Sequence, residues 1–312
     1  MNPALSVILL TTLIGAGQGL FLALFVIEAR VAAGLLAAPS PAYYWIGSVI
    51  ALVLLGAGLL ASFFHLGHPE RAWRAAARWR TSWLSREVIV LPAFMAAVAG
   101  WGWMHHQQIA GTLQVGVVGA GLCLALFLCT AMIYACIRFL QEWATPLTLV
   151  NFVLLGCASG VMMATALAGI RGEAVTATAG LWAGGITLAG LCSRAASLWR
   201  NARLKPRSTL QTAIGIKHPR IVQKAQGFMG GSFNTREFFH RRSPGALRAV
   251  KWLFLLGGFV IPLLLLAAAL ATAAPGLLLL ACIVQFGGLV AERWFFFAQA
   301  NHPQNLYYSA VS

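Results

Sequence analysis

Apolar residues run along this chain in long unbroken blocks, without the strict alternation of strands or the one-sided spacing of a soluble amphipathic helix. A helix that crosses a bilayer needs about 20 mostly apolar residues. Blocks of that length lie at Leu5 to Glu28, Tyr44 to Leu66, Ser85 to Met104, Leu113 to Phe139, Pro146 to Ile170, Thr176 to Leu198, Ala249 to Ala271 and Pro275 to Gln299. The pattern therefore predicts an all-α integral membrane protein with eight transmembrane helices, arranged as two four-helix bundles. The first block has no basic leader before it and is long enough to span, so it reads as a membrane helix and not as a cleaved signal. Glycine and alanine recur throughout the blocks, which suits close helix packing.

Two polar stretches interrupt this pattern within a single polytopic domain, 1–312. One is an interfacial connector at 67–84, inside the string "FFHLGHPERAWRAAARWRTSWLSRE" that runs from Phe63 to Glu87. The other, 199–248, is too short and too basic for an enzyme domain. Its "GFMGGSFNTREFF" centre mixes glycine with phenylalanine, and the segment reads as a loop that docks a partner subunit.

Composition excludes a soluble globule: the 312 residues are 60% hydrophobic and 9% charged. The net charge is +15, and of the 22 Lys and Arg residues only Arg30 and Arg171 fall on one set of helix ends. The excess on the opposite ends places the connector, the long loop and both termini in the cytoplasm. The location expected is a bacterial inner (cytoplasmic) membrane, with the partner-docking face inward. Basic residues beside membrane spans are explained by topology and anionic lipid, so membrane lipid is the expected partner of this charge and nucleic acid is not.

All seven acids are glutamates, which makes each one worth placing. The six cysteines lie in or beside apolar runs with no C-x-x-C pair, which argues against an iron–sulfur or zinc site in this chain and leaves no metal ligands to name. Haem is not expected either, because bis-histidine ligation needs two imidazoles at similar depth. His65 closes one span at the basic end, whereas His105 and His106 stand at the other end.

The connector gathers the remaining candidate chemistry. "ERAWRAAARWR" has helical character, with Arg71, Arg74 and Arg78 at i, i+3 and i+7 and Glu70 four residues before Arg74 for an ion pair. Trp73, Trp79 and Trp83 suit anchoring at the membrane surface. His65 is either an ordinary interface residue or a group that bonds a carbonyl oxygen and passes a proton. Glu87, just after Ser85, is either a first-turn carboxylate held by a helix N-terminus or a proton-exchanging acid in a rim pocket. Gln18, within "LIGAGQGL", is either an interhelical hydrogen-bonding group or a ligand contact.

The connector resembles the H-L-G-x-P-x-R-A motif, followed by R and S-x-L-S-x-E, of the membrane anchor subunits of the dimethyl sulfoxide reductase type (DmsC/NrfD-like). The matching residues are His65, Leu66, Gly67, Pro69, Arg71, Ala72, Arg78, Ser82, Leu84, Ser85 and Glu87. The eight spans extend the likeness along the chain, and the long loop departs from the short-looped anchors. The resemblance implies two partner subunits, a molybdopterin-containing catalytic subunit and a ferredoxin-like subunit carrying iron–sulfur clusters. It also implies a quinone, ubiquinone or menaquinone, as the redox partner in the membrane. His65 and Glu87 match residues associated with the quinone site, with Arg71, Arg78, Gln18 and Ser85 as further candidate contacts. The substrate-converting site would lie on a partner, so no catalytic residue is assigned here. A connector on the cytoplasmic side is similar to the sulfite dehydrogenase (SoeC-type) branch of the family, in which electrons from sulfite oxidation enter the quinone pool.

Other readings compete. An anchor of a dimethyl sulfoxide or polysulfide/thiosulfate-type reductase would run the same site toward quinol oxidation. A secondary transporter would instead show helix breaks at matching places in two halves and a site near the midplane. A purely structural anchor would use His65 and Glu87 only to hold a partner's loop.

Overall fold

The computed structural model of the protein describes residues 1–64, 66–222, 224–225 and 237–307. Eight long helices organise the described residues: α1 (Leu5–Ala32), α2 (Pro41–Phe63), α3 (Trp83–Gln107), α4 (Thr112–Ala135), α5 (Pro146–Arg171), α6 (Thr176–Asn201), α7 (Pro244–Thr272) and α8 (Pro275–Ala298). No strand occurs among the described residues. Seven of these helices are long and apolar enough to cross a membrane. The exception is α6, which is 26 residues long but carries Arg194 and Arg200 and many small or polar residues.

Local chemistry explains the helix boundaries. Proline occupies the first turn of α2, α5, α7 and α8, where its missing N–H costs nothing. Ser82 caps α3 by accepting from the Ser85 N–H, and Ser243 caps α7 by accepting from the Ala246 N–H. α7 therefore begins at Pro244, five residues before the apolar block does, because its first turn carries the cap and polar groups outside that block. Within α7, Pro262 has no N–H to offer the Gly258 carbonyl, and the turn before it widens into a π segment, Leu256–Val260.

The centre of the molecule is the crossing of α1 and α5. α1 packs against α2, α4, α5 and α8. Gly15 and Gly19 on α1 face Gly156 and Gly160 on α5, so each helix contributes a G-x-x-x-G pair to the crossing. A Cβ added to Gly160 would lie 1.9 Å from the Gly19 carbonyl carbon, and one added to Gly19 would lie 2.0 Å from the Gly156 oxygen. The glycines around Gln18 therefore admit a neighbouring helix. Large apolar side chains such as Leu124, Leu181, Leu264 and Ile283 remain exposed on the outside, as lipid-facing positions require.

The helices alternate in direction, and hydrogen bonds tie the connections at each end. At one end, the Ser40 N–H and hydroxyl both donate to the Glu173 carboxylate, joining the α1–α2 and α5–α6 turns. At the other end, Arg200 donates to the Gln141 carbonyl, joining the end of α6 to the α4–α5 turn. Two basic residues depart from the expected placement. Arg194 and Arg293, counted above with the basic connections, are buried inside α6 and α8, where Glu292 partners them. The charge bias survives, since the remaining arginines and lysines on that end are unaffected.

Candidate functional site

The connector forms a 3₁₀ helix, Pro69–Arg78, between α2 and α3. With three residues per turn, Arg71 and Arg74 eclipse each other, while i and i+4 positions stand about 120° apart. The expected Glu70–Arg74 pair therefore does not form. Glu70 instead lies 3.5 Å from Arg71 Nε and 3.1 Å from His68 Nδ1, in exposed contacts worth little energy. The arginines alternate with tryptophans: Arg74 sits over Trp73, Arg80 over Trp79 and Arg86 over Trp83, whose ring centroid is 4.2 Å away. Arg86 also donates to the carbonyls of Trp79 and Arg80, fastening the connector to the start of α3. Arg71 and Arg78 are exposed, and neither is bonded to Glu87. His65 lies outside the described residues, as does most of the "GFMGGSFNTREFF" string.

Glu87 does not cap a helix. The cap of α3 is Ser82, with the buried Ser85 at the third helical position, and the first turn contains no acid. Glu87 falls in the second turn, where its side chain is buried, and Thr130 of α4 donates its hydroxyl to Glu87 Oε1 at 2.5 Å. Thr130 is the one side chain that hydrogen-bonds Glu87 among the described residues. Gln18 also crosses between helices: its Nε2 donates to the Cys123 carbonyl at 3.0 Å, and Cys123 Sγ donates back to the Gln18 carbonyl at 3.6 Å. The interhelical role of Gln18 is thus observed directly.

A second polar cluster escaped sequence reasoning. Arg194 Nε lies 2.6 Å from Glu292 Oε1, and Arg293 Nε lies 3.8 Å from Glu292 Oε2, with all three side chains at least nine-tenths buried. Phe254 and Phe295 line the Arg194 guanidinium, and Arg293 sits 3.9 Å from the Phe152 ring centroid. Glu292 and Arg293 border a cavity of about 20 Å³ that Gln18 and Thr130 also line. The available signal was the occurrence of charges inside apolar runs, since such groups are costly in a membrane unless they are paired.

At the far end of the same helices, Glu28 is buried between the Trp101 indole and the His105 imidazole. Trp101 Nε1 donates to Glu28 Oε2 at 2.8 Å, and His105 Nε2 lies 3.3 Å from Glu28 Oε1. The His105 ring stacks on Tyr44 at 4.3 Å. His105 is therefore held by this end of the bundle, on the side away from the connector.

Together these features define a multi-pass helical membrane protein with buried acids near both ends of its spans and an arginine-rich connector over one of them. The chain belongs to the family of DMSO reductase anchor subunits (DmsC), whose model matches residues 1–308. It is 54% identical, over an alignment of 325 residues that covers 100% of both chains, to a subunit of the sulfite dehydrogenase of Allochromatium vinosum. The likeness read from the connector thus holds along the whole chain, which is a membrane subunit of an oxidoreductase complex.

Proposed function

We propose that this chain is the quinone-reactive anchor of a molybdopterin/iron–sulfur oxidoreductase that oxidises sulfite. Electrons would pass from a molybdopterin subunit through a ferredoxin-like subunit docked on the connector face to quinone in the membrane. The observation that carries this reading is the buried Glu87 carboxyl, free of any capping duty and bonded to Thr130, directly beneath the connector whose motif the family shares. Sulfite as the electron source rests on the name of the relative that is identical at 54% of positions.

The residues present fit a quinone head group. The cavity beside Thr130 is too small for a ring, so the ring would approach from the connector rim, where Phe63, Phe64, Leu66 and Leu84 are exposed. Apolar side chains for the ring and a protonatable group for its oxygens are the chemistry that quinone binding calls for. Bound there, quinone supplies a two-electron, two-proton couple. His65 would bond a quinone oxygen, Glu87 would exchange the proton, and Arg71 and Arg78 would hold the connector over the site. Gln18 and Ser85 would support it from α1 and α3.

The reading places eight helices across the membrane as two four-helix halves meeting at the α1–α5 crossing. α6 counts as a span because its two ends are tied to opposite ends of the bundle, through the α5–α6 turn at Glu173 and through Arg200 at Gln141. The basic connector face is then cytoplasmic, in an inner membrane. The 199–248 segment would dock the ferredoxin-like partner.

The test is turnover of the purified complex with His65→Ala and with Glu87→Gln. Sulfite oxidation coupled to quinone should fall tenfold or more, within the range of general acid–base contributions of about 10² to 10⁴. Sulfite oxidation with a water-soluble acceptor should persist, because the substrate site lies on a partner. Unchanged quinone turnover in both variants would overturn the assignment.

A further inference from the structure

The buried charges near the α1–α5 crossing do not balance within the second half of the molecule. Two guanidinium groups, Arg194 and Arg293, share one carboxylate, Glu292. Glu292 Oε1 lies against Arg194, while Oε2 has no hydrogen-bond partner and stands 3.8 Å from Arg293. One positive charge is therefore left over in a low-dielectric setting, where an unpaired ion is costly. The other buried carboxyl at this end of the spans, among the described residues, is Glu87. Counted together, Glu87, Arg194, Glu292 and Arg293 sum to zero only when Glu87 is ionised. Arg293 lines the same small cavity as Thr130, the residue that bonds Glu87, so one side chain and the cavity separate the two groups.

The space between these groups is built for water. The cavity of about 20 Å³ exceeds the roughly 10–15 Å³ that one water needs. Its walls offer acceptors. The Thr11 and Thr12 hydroxyls donate to the Ile8 carbonyl, the Ser159 hydroxyl donates to the Gly156 carbonyl and the Thr130 hydroxyl donates to Glu87, which leaves lone pairs free on all four oxygens. Glu292 Oε2 adds a fifth acceptor, and the cavity borders the Arg293 donor. Thr130 touches both sides, facing the cavity while bonded to Glu87.

We infer that Glu292 and Arg293 are positioning residues of the site that contains Glu87, with a cavity water exchanging protons with Glu87 through the Thr130 hydroxyl and Arg293 favouring the ionised form of Glu87. In the protonating direction, a water O–H bond breaks as a new Thr130 O–H bond forms. The former Thr130 proton moves to Glu87 Oε1, and a proton from solvent restores the water. No electron moves in this step. The other groups near Glu87 are Cys129 and Tyr134 on α4, while Arg86, next to it on α3, is turned to the carbonyls of Trp79 and Arg80. His65, at the end of α2, lies outside the described residues.

This inference rests on the quinone reading, and the experiment separates the two. The purified complex is followed by infrared spectroscopy during pH titration, and the carboxyl band lost in Glu87→Gln is assigned to Glu87. In Arg293→Gln that band should titrate about one pH unit higher, because a nearby cation that favoured the ionised form is gone. Arg293→Lys keeps the charge and should restore the original midpoint. Thr130→Val should slow quinone-coupled turnover tenfold or more, while Thr130→Ser retains it. An unmoved midpoint in Arg293→Gln, or an equal shift in Arg293→Lys, overturns the inference. If Glu87→Gln itself leaves quinone-coupled turnover unchanged, it is the quinone reading that fails.

Discussion

Thr130, on α4, holds Glu87, on α3, through a 2.5 Å hydrogen bond that joins two neighbouring helices inside the connector end of the bundle. Both side chains are buried, so neither has bulk water as an alternative partner. Glu87→Leu should therefore destabilise the protein by about 1–3 kcal/mol, the cost of leaving the Thr130 hydroxyl unpaired. Adding Thr130→Val should recover most of that loss, which a double-mutant cycle on thermal unfolding in detergent would measure.

The α1–α5 crossing should tolerate no side chain. Gly160→Val places atoms within 2 Å of the α1 backbone and should prevent recovery of a monodisperse protein. Gly56→Ala, whose added Cβ meets nothing within 4 Å, serves as the control and should chromatograph like the wild type.

Removing members of the buried ion cluster should have unequal consequences. Glu292→Leu leaves two cations facing each other and should cost about 3–5 kcal/mol, whereas Arg194→Met leaves Glu292 with Arg293 and should cost less. The order of thermal midpoints, wild type above Arg194→Met above Glu292→Leu, is the result to look for.

Acid should loosen the opposite end of the bundle. Burial works to raise the Glu173 carboxyl, but the Ser40 hydroxyl and N–H, together with Arg171, outweigh it and hold the group below its ordinary value. A carboxylate lowered by folding contributes its full stability above its unfolded value, near pH 4.3, and loses it as pH falls through the lower folded value. Melting curves of the wild type and Glu173→Gln should thus differ at pH 7, by about 1.5 kcal/mol for hydrogen bonds to a charged group, and converge in strong acid.

The indole of Trp101 should matter through its N–H. Trp101→Phe keeps much of the packing around Phe21 and Phe94 but removes the donor to the buried Glu28 carboxylate. A loss of about 1.5–3 kcal/mol is expected, read as a lowered thermal midpoint.

Much of this was legible in the chain itself, for identifiable reasons. A spanning helix must satisfy its own backbone hydrogen bonds, so length and hydropathy suffice to place it, and each of the eight apolar blocks is occupied by a long helix. Prolines at 146 and 275, where two of the blocks begin, mark helix starts through their missing N–H, whereas α2 starts at Pro41, three residues before its block. The connector was less legible. A pattern of arginines at i, i+3 and i+7 fits an α-helix, yet the segment winds as 3₁₀, and the Glu70–Arg74 pairing disappears with the change in twist.

The sequence by itself determined that the protein is a multi-pass helical membrane protein, that one set of helix ends carries the positive charge, and that its connector bears an anchor-family motif. These are properties of composition and local order, which one-dimensional spacing preserves. Only the tertiary structure decided that Glu87 bonds Thr130 and does not cap α3, that Gln18 ties α1 to α4, and that Arg194 and Arg293 share Glu292 inside the bundle. Apart from Glu292 and Arg293, which are neighbours on α8, each of these pairs joins residues on separate helices. Their partnership depends on which faces the glycine crossing brings together, and hydropathy along the chain does not encode that choice.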